Sequence, residues 1–101
     1  MPLTSKEIKR LRAEGHRLRL KPIVTIGQKG FSDNLHREID EALAHHELLK
    51  LRIPALDRQE RRELSQHISE QHSATLVESI GNVIVLYRQN PETNRYQRLL
   101  D

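Results

Sequence analysis

The chain is 101 residues long, carries a formal net charge of +3 and contains neither cysteine nor tryptophan. That length fits one domain with a cooperative core, and the missing cysteines exclude disulfide frameworks and thiolate-ligated metal sites. No apolar run approaches the ~20 residues that span a bilayer, and the first residues lack the apolar stretch of a secretory leader, so a cytoplasmic protein is expected.

Thr4 and Glu7 make a capping box for a first helix, with Ile8, Leu11 and Leu18 on its apolar stripe. Lys6, Lys9 and Arg10 recur at i, i+3 and i+4 and share the opposite face. Gly15 is expected to end this helix, because glycine weakens helix interiors and favours the position just past an end. A basic connector with Arg17, Arg19 and Lys21 follows, and Pro22 makes Lys21 extended. Ile23 to Ile26 does not alternate and reads as a strand buried on both faces. Gly27-Gln28-Lys29-Gly30 then leads into a helix over 32–46, capped by Ser32 or Asp33, with Leu35, Ile39, Ala42, Leu43 and His46 on one stripe.

Leu48 to Ile53 is a second strand with Leu49, Leu51 and Ile53 on one face. Lys50 and Arg52 fall on the other, which implies a sheet face partly open to water. Pro54 breaks the strand, and Asp57 with Glu60 starts a third helix that ends near His72, with Leu64 and Ile68 facing the core. Ala74–Ile80 and Val83–Tyr87 flank Gly81-Asn82, a hairpin signal. The first of this pair, mixed in polarity, suits a sheet edge; the second, continuously apolar, suits a centre. From Arg88 the chain turns polar, with Tyr96, Leu99 and Leu100 as its sizeable apolar groups, and reads as a partly docked tail. The expected fold is α/β in the order α-β-α-β-α-β-β, a four-stranded mixed sheet with three helices. The first three strands run mostly parallel and the hairpin at the end is antiparallel.

Charge is unevenly spread. Residues 1–30 hold eight basic and two acidic groups, whereas the rest hold nine basic and twelve acidic. A basic end of this kind suits a polyanion. The GQKG stretch sits at the carboxyl end of a strand and before a helix N-terminus, where free amides and the helix dipole favour an anion. Gly27 and Gly30 would admit a phosphate close to the main chain, Lys29 adds charge, and Gln28 adds a hydrogen bond. With Phe31, Tyr87 and Tyr96 the whole aromatic inventory, base-stacking readers are disfavoured, and contact dominated by the nucleic-acid backbone is expected. Serines occur without a nucleophile elbow, and the neighbours His45 and His46 diverge by about 100° on a helix, as His67 and His72 also diverge. No catalytic residue, metal or cofactor is expected.

Leu20-Lys21-Pro22-Ile23-Val24, Gly27-Gln28-Lys29-Gly30-Phe31-Ser32, Glu41 to Leu51 and Ile80 to Arg88 together resemble the CRM domain, in particular its bacterial single-domain YhbY-type members. The resemblance implies one RNA-binding domain over 1–98, with a packed core over about 3–89, a polar tail from about 90 and 99–101 as terminus. It also implies a fold like the C-terminal domain of translation initiation factor three. Bacterial members associate with precursors of the large ribosomal subunit, so the implied partners are its rRNA and those particles, with no membrane or small-molecule substrate. By the same motifs, Gly27, Gln28, Lys29, Gly30 and Ser32 would carry RNA, together with Lys6, Lys9, Arg10, Arg17, Arg19 and Lys21. Lys50 and Arg88 lie in matching segments. A protein-interaction module docking on a ribosomal protein, with RNA contact secondary, is the alternative.

Overall fold

Local chemistry starts each of the three helices, as a computed structural model describing residues 2–27 and 32–101 shows. Helix α1 is Ser5–Leu18, strand β1 Val24–Thr25, helix α2 Asp33–His46, strand β2 Leu48–Arg52, helix α3 Arg58–Gln71, strand β3 Thr75–Ile80 and strand β4 Val83–Tyr87. A short 3-10 turn, Gln97–Leu99, follows in the tail. Both expected capping boxes form: Thr4 Oγ1 accepts Glu7 N at 3.2 Å, and Asp57 Oδ1 accepts Glu60 N at 2.8 Å. Ser32, rather than Asp33, caps α2, its hydroxyl accepting Leu35 N at 3.1 Å.

Strand order is β1-β2-β4-β3. β1 pairs parallel with β2, and β4 lies antiparallel between β2 and β3. The first three strands therefore run the same way although only two of them touch, and the hairpin places β3 at the edge and β4 inside. Register slips by one residue at Val77, between the pairs Leu76–Leu86 and Glu78–Val85. This bulge sends both Val77 and Glu78 toward α1.

Two apolar layers sandwich the sheet. On one side Ile39 and Leu43 of α2 and Ile68 of α3 pack on Val24, Leu49, Leu51, Ile53, Ile84 and Leu86. On the other, Leu11 of α1 packs with Leu48, Val77, Val85 and Tyr87, and Tyr96 joins them. At about 25 cal/mol per Å2 of apolar surface removed from water, these layers supply the main drive to fold.

Three expectations are corrected. Gly15 does not end α1; it is buried inside the helix, which closes at Arg19 in the left-handed conformation (φ 54°). A Cβ there would lie 3.5 and 3.9 Å from methyl carbons of Leu20 and Leu48, ordinary contact distances, so packing does not demand glycine at this position. The first strand is not buried on both faces. Val24 and Ile26 are buried, but Thr25 is exposed and Ile23 is 51% exposed, because the side chains of this strand that point away from α2 and α3 reach the partly open face of the sheet. The packed core also extends past residue 89. Tyr96 is buried, and Leu99 and Leu100 pack on the α1-side layer. Fully buried Glu47 organises this segment, accepting Asn90 N at 3.2 Å, Thr93 Oγ1 at 2.6 Å and Arg95 N at 2.9 Å. Composition alone hides such an anchor, since it holds polar residues by hydrogen bonds.

Candidate nucleic-acid interface

Three strands running one way send their carboxyl ends to one end of the sheet. A helix leading from one such strand to the next runs back, so α2 and α3 both begin at that end. Gly27 leaves β1 there, Arg52 closes β2, and Gly81 turns β3 into β4. Hydrogen bonds of 2.8 Å, from Ile26 N to Arg52 O and from Ile53 N to Asn82 O, tie these ends together. Gly27 is exposed, and a Cβ on it would meet nothing within 4 Å, so its main chain is open to a ligand. Gln28, Lys29 and Gly30, the rest of the expected phosphate loop, lie outside the described residues, as does Phe31. Exposed Ser32 takes up the chain beyond them as the cap of α2, where free amides and the positive dipole end favour an anion.

The sheet face on the α1 side is partly open, as the Lys50–Arg52 alternation foretold. Thr25, Arg52, Val83 and Ile80 are paired in one row across the four strands. Arg52 and Thr25 are exposed, and Ile80 is 62% exposed. In the next row Lys50 faces Val85, which faces Glu78. Arg19, Lys50, Arg12 and His16 border a cavity of about 160 Å3 between α1 and the sheet. Lys50 also borders a neighbouring hollow of about 140 Å3 with Lys21, His46 and Arg95. Burial holds His46 below the ordinary histidine range, with His45 and Arg95 adding to the effect, so it stands neutral at pH 7. The bulge aims Glu78 at this face, where it meets His16 Nε2 at 2.7 Å and Arg12 Nε at 3.7 Å.

The expected contact residues divide by what else they hold. Lys6, Lys9, Arg19 and Lys21 are exposed and Lys50 is half-buried; among the described residues none of them forms a salt bridge. Arg10 instead donates to Asp101 Oδ1 at 2.8 Å and to Leu99 O at 3.0 Å. Arg17 grips Glu14 with two hydrogen bonds of 2.9 and 2.7 Å, and Arg98 donates to the same carboxylate. Arg17 foremost, with Arg98, draws the Glu14 carboxyl down to about 2. Arg88 donates to Asp40 Oδ1 at 2.9 Å, to Asp40 O at 3.0 Å and to His72 O at 3.0 Å. Buried His72 lies 2.7 Å from Asp40 Oδ1 and 3.0 Å from His36 Nδ1. Burial raises the Asp40 carboxyl, but the hydrogen bonds from His72 and Arg88 outweigh it and hold the group below its usual range. Arg88, one residue past β4, thus ties the middle of α2 to the end of α3.

Two sets of cations escaped the sequence reading. Arg52 was legible as the partner of Lys50 on one strand face. Arg58, Arg61 and Arg62 on α3 were hidden because residues 31–101 are acidic as a whole, although their i, i+3, i+4 spacing announces a shared face. Among the described residues no three His, Cys, Asp or Glu side chains gather as a metal site, and no helix is long and apolar enough to cross a membrane.

The fold and its exposed cations define a small α/β domain with one partly open sheet face that carries basic side chains. A model of the CRS1 / YhbY (CRM) domain matches residues 3–88, and the chain belongs to that family. Its relatives include Probable RNA-binding protein PA4753 of Pseudomonas aeruginosa, 34% identical over 95 residues that cover 94% of this chain and 89% of the relative. Probable RNA-binding protein YqeI of Bacillus subtilis is 32% identical, with 94% and 97% covered. The solution structure of the hypothetical protein SAV1595 from Staphylococcus aureus superposes with a TM-score of 0.76 at 34% identity, covering 88% of this chain and 91% of that one.

Proposed function

We propose that this protein binds structured RNA through its phosphates, in the cytoplasm, and acts in assembly of the large ribosomal subunit without catalysing a reaction. The observation that carries the RNA reading is the set Arg19, Lys21 and Lys50, which form no salt bridge among the described residues and border adjoining hollows on the partly open sheet face. Relatives at about a third identity over nearly the whole chain are named RNA-binding proteins, which supports the same reading. The ribosomal setting rests on the likeness to YhbY-type members, and with it the proposed partners, large-subunit rRNA and its precursor particles.

In this reading Gly27, Gln28, Lys29, Gly30 and Ser32 cradle a phosphate at the start of α2, and Lys50, Arg19 and Lys21 take the neighbouring ones. Lys6 and Lys9 extend the field along α1. Arg10 holds the tail, Arg17 pairs with Glu14 and Arg88 joins α2 to the end of α3, so these three contribute field more than first contact. Bases are left unread, so affinity falls steeply with salt.

The test is binding of in vitro transcribed large-subunit rRNA at several salt concentrations, by wild type and by a Lys29→Ala, Arg19→Ala, Lys50→Ala variant. Three lost phosphate contacts should flatten the logarithmic salt slope by roughly two to three units. Equal affinity and equal slope would sink the reading.

A further inference from the structure

On the far side of the sheet from α1, Arg58, Arg61 and Arg62 border a groove of about 420 Å3, walled on its other side by Leu76, Ser79 and Gly81 of the hairpin. We propose that this groove is a second phosphate-binding surface, occupied by the backbone of RNA that continues past the Gly27 end of the sheet. The proposal rests on the RNA reading above and extends it to the opposite layer.

Among the described residues these arginines share with Arg19, Arg37 and Arg52 the lack of a salt bridge, and differ from them in lining one groove together. Arg10, Arg12, Arg17, Arg88, Arg95 and Arg98 each lie within 4.0 Å of a carboxylate. Among the described residues Arg58, Arg61 and Arg62 form no salt bridge. The acidic groups of α3 hold other hydrogen-bond partners: Glu60 in the capping box with Asp57, Glu63 with Gln59 at 2.9 Å, and Glu70 with Gln66 at 2.8 Å. Of these carboxylates Asp57 feels the charge of Arg61 without a salt bridge to it. No carboxylate borders the groove. Three cations in the first turns of a helix also oppose its dipole, so helix stability does not account for them.

The groove chemistry favours a sugar–phosphate chain. Guanidinium groups match phosphate in a planar, two-bond geometry that lysine lacks. Leu76 gives an aliphatic floor, and no aromatic ring lines the groove to stack a base. Gly81, at φ +55°, leaves open space where a side chain would stand. Because α3 starts at the same end of the sheet as α2, a phosphate chain leaving the Gly27 loop finds these arginines next. That continuity favours RNA over an acidic polypeptide as occupant.

The test compares wild type, Lys29→Ala, the triple variant Arg58→Gln/Arg61→Gln/Arg62→Gln and their combination, with the same rRNA across a salt series and with poly-glutamate as a second probe. The triple variant is expected to lose about tenfold or more in rRNA affinity and two to three units of salt slope, and the combination to bind more weakly than either parent. Arg58 and Arg62 are exposed, so Arg58→Gln and Arg62→Gln alone, each lowering the slope by about one unit, serve if the triple variant unfolds. Unchanged affinity and slope in the arginine variants, with Lys29→Ala weakened, would overturn the groove alone. A wild type that does not bind rRNA would overturn the RNA reading and the groove with it. Loss of poly-glutamate binding with rRNA binding intact would hand the groove to an acidic polypeptide and overturn its assignment to RNA.

Discussion

Arg19 occupies a backbone conformation that suits glycine better. Its φ of 54° ends α1, and its N–H reaches the carbonyls of Gly15 and His16. A side chain in that region costs roughly 1 kcal/mol relative to glycine. Strain of this kind is tolerated where the side chain serves something else, and this one borders the cavity shared with Lys50. Arg19→Gly is therefore expected to raise stability to denaturant by about 1 kcal/mol while weakening rRNA binding. A variant that gained stability and kept full affinity would remove Arg19 from the interface.

Among the elements, α1 separates what sequence reveals from what it hides. Its start was legible because capping is local: Thr4 and Glu7 need no tertiary contact to meet. Its end was not, because the helix runs through Gly15 and closes at a left-handed Arg19 that no glycine marks, where the N–H groups of Arg19 and Leu20 return to the carbonyls of His16 and Gly15. The contacts a Cβ would make at Gly15, 3.5 and 3.9 Å, are ordinary van der Waals distances. Gly15→Ala should thus gain helix propensity without a clash and raise the thermal midpoint, by about 1 kcal/mol in stability; a fall would mean that Leu20 cannot give way. The helix caps, hairpin and strand alternation of β2 were likewise readable, each resting on neighbours in sequence. The Val77 bulge and the Glu47 anchor were not, since both depend on partners brought in by folding. The same divide runs through the site. That Lys50 faces the open side of the sheet could be read in advance, whereas the pairing of Arg10, Arg17 and Arg88 needed the fold.

At the scale of the whole molecule, three carboxylates fasten the end of the chain. Glu7 accepts Asp101 N at 3.0 Å, Glu14 holds Arg98, and Glu47 gathers residues 90–95. Hydrogen bonds lower all three: Thr4 N–H foremost for Glu7, Arg17 foremost for Glu14, and for Glu47 a set led by Thr93 that outweighs the upward push of burial. Their ordinary value is 4.5, and that of Glu14 falls to about 2. A depressed folded-state pKa contributes stability that is fully present above the unfolded value and lost as pH falls through the folded one. The tail should consequently loosen between pH 4.5 and about 2. The Tyr87–Tyr96 pair, edge to face at 6.2 Å, reports this through its near-ultraviolet circular dichroism. Glu14→Gln should unfold several degrees lower at pH 7 and converge on wild type in acid; parallel curves at every pH would dismiss Glu14 as the source.

The edges of the sheet carry one more consequence. One is the two-residue β1, and the other is β3, kinked by its bulge, where Arg12 donates to the carbonyl of Val77 at 3.4 Å. Short, kinked and occupied edges give a foreign strand little to pair with. Recognition by strand addition, in which a partner peptide lengthens the sheet, is thereby disfavoured. The proposed RNA contact needs no such pairing: in that reading the partner is held by its phosphates, and the sheet stays four strands wide with or without it.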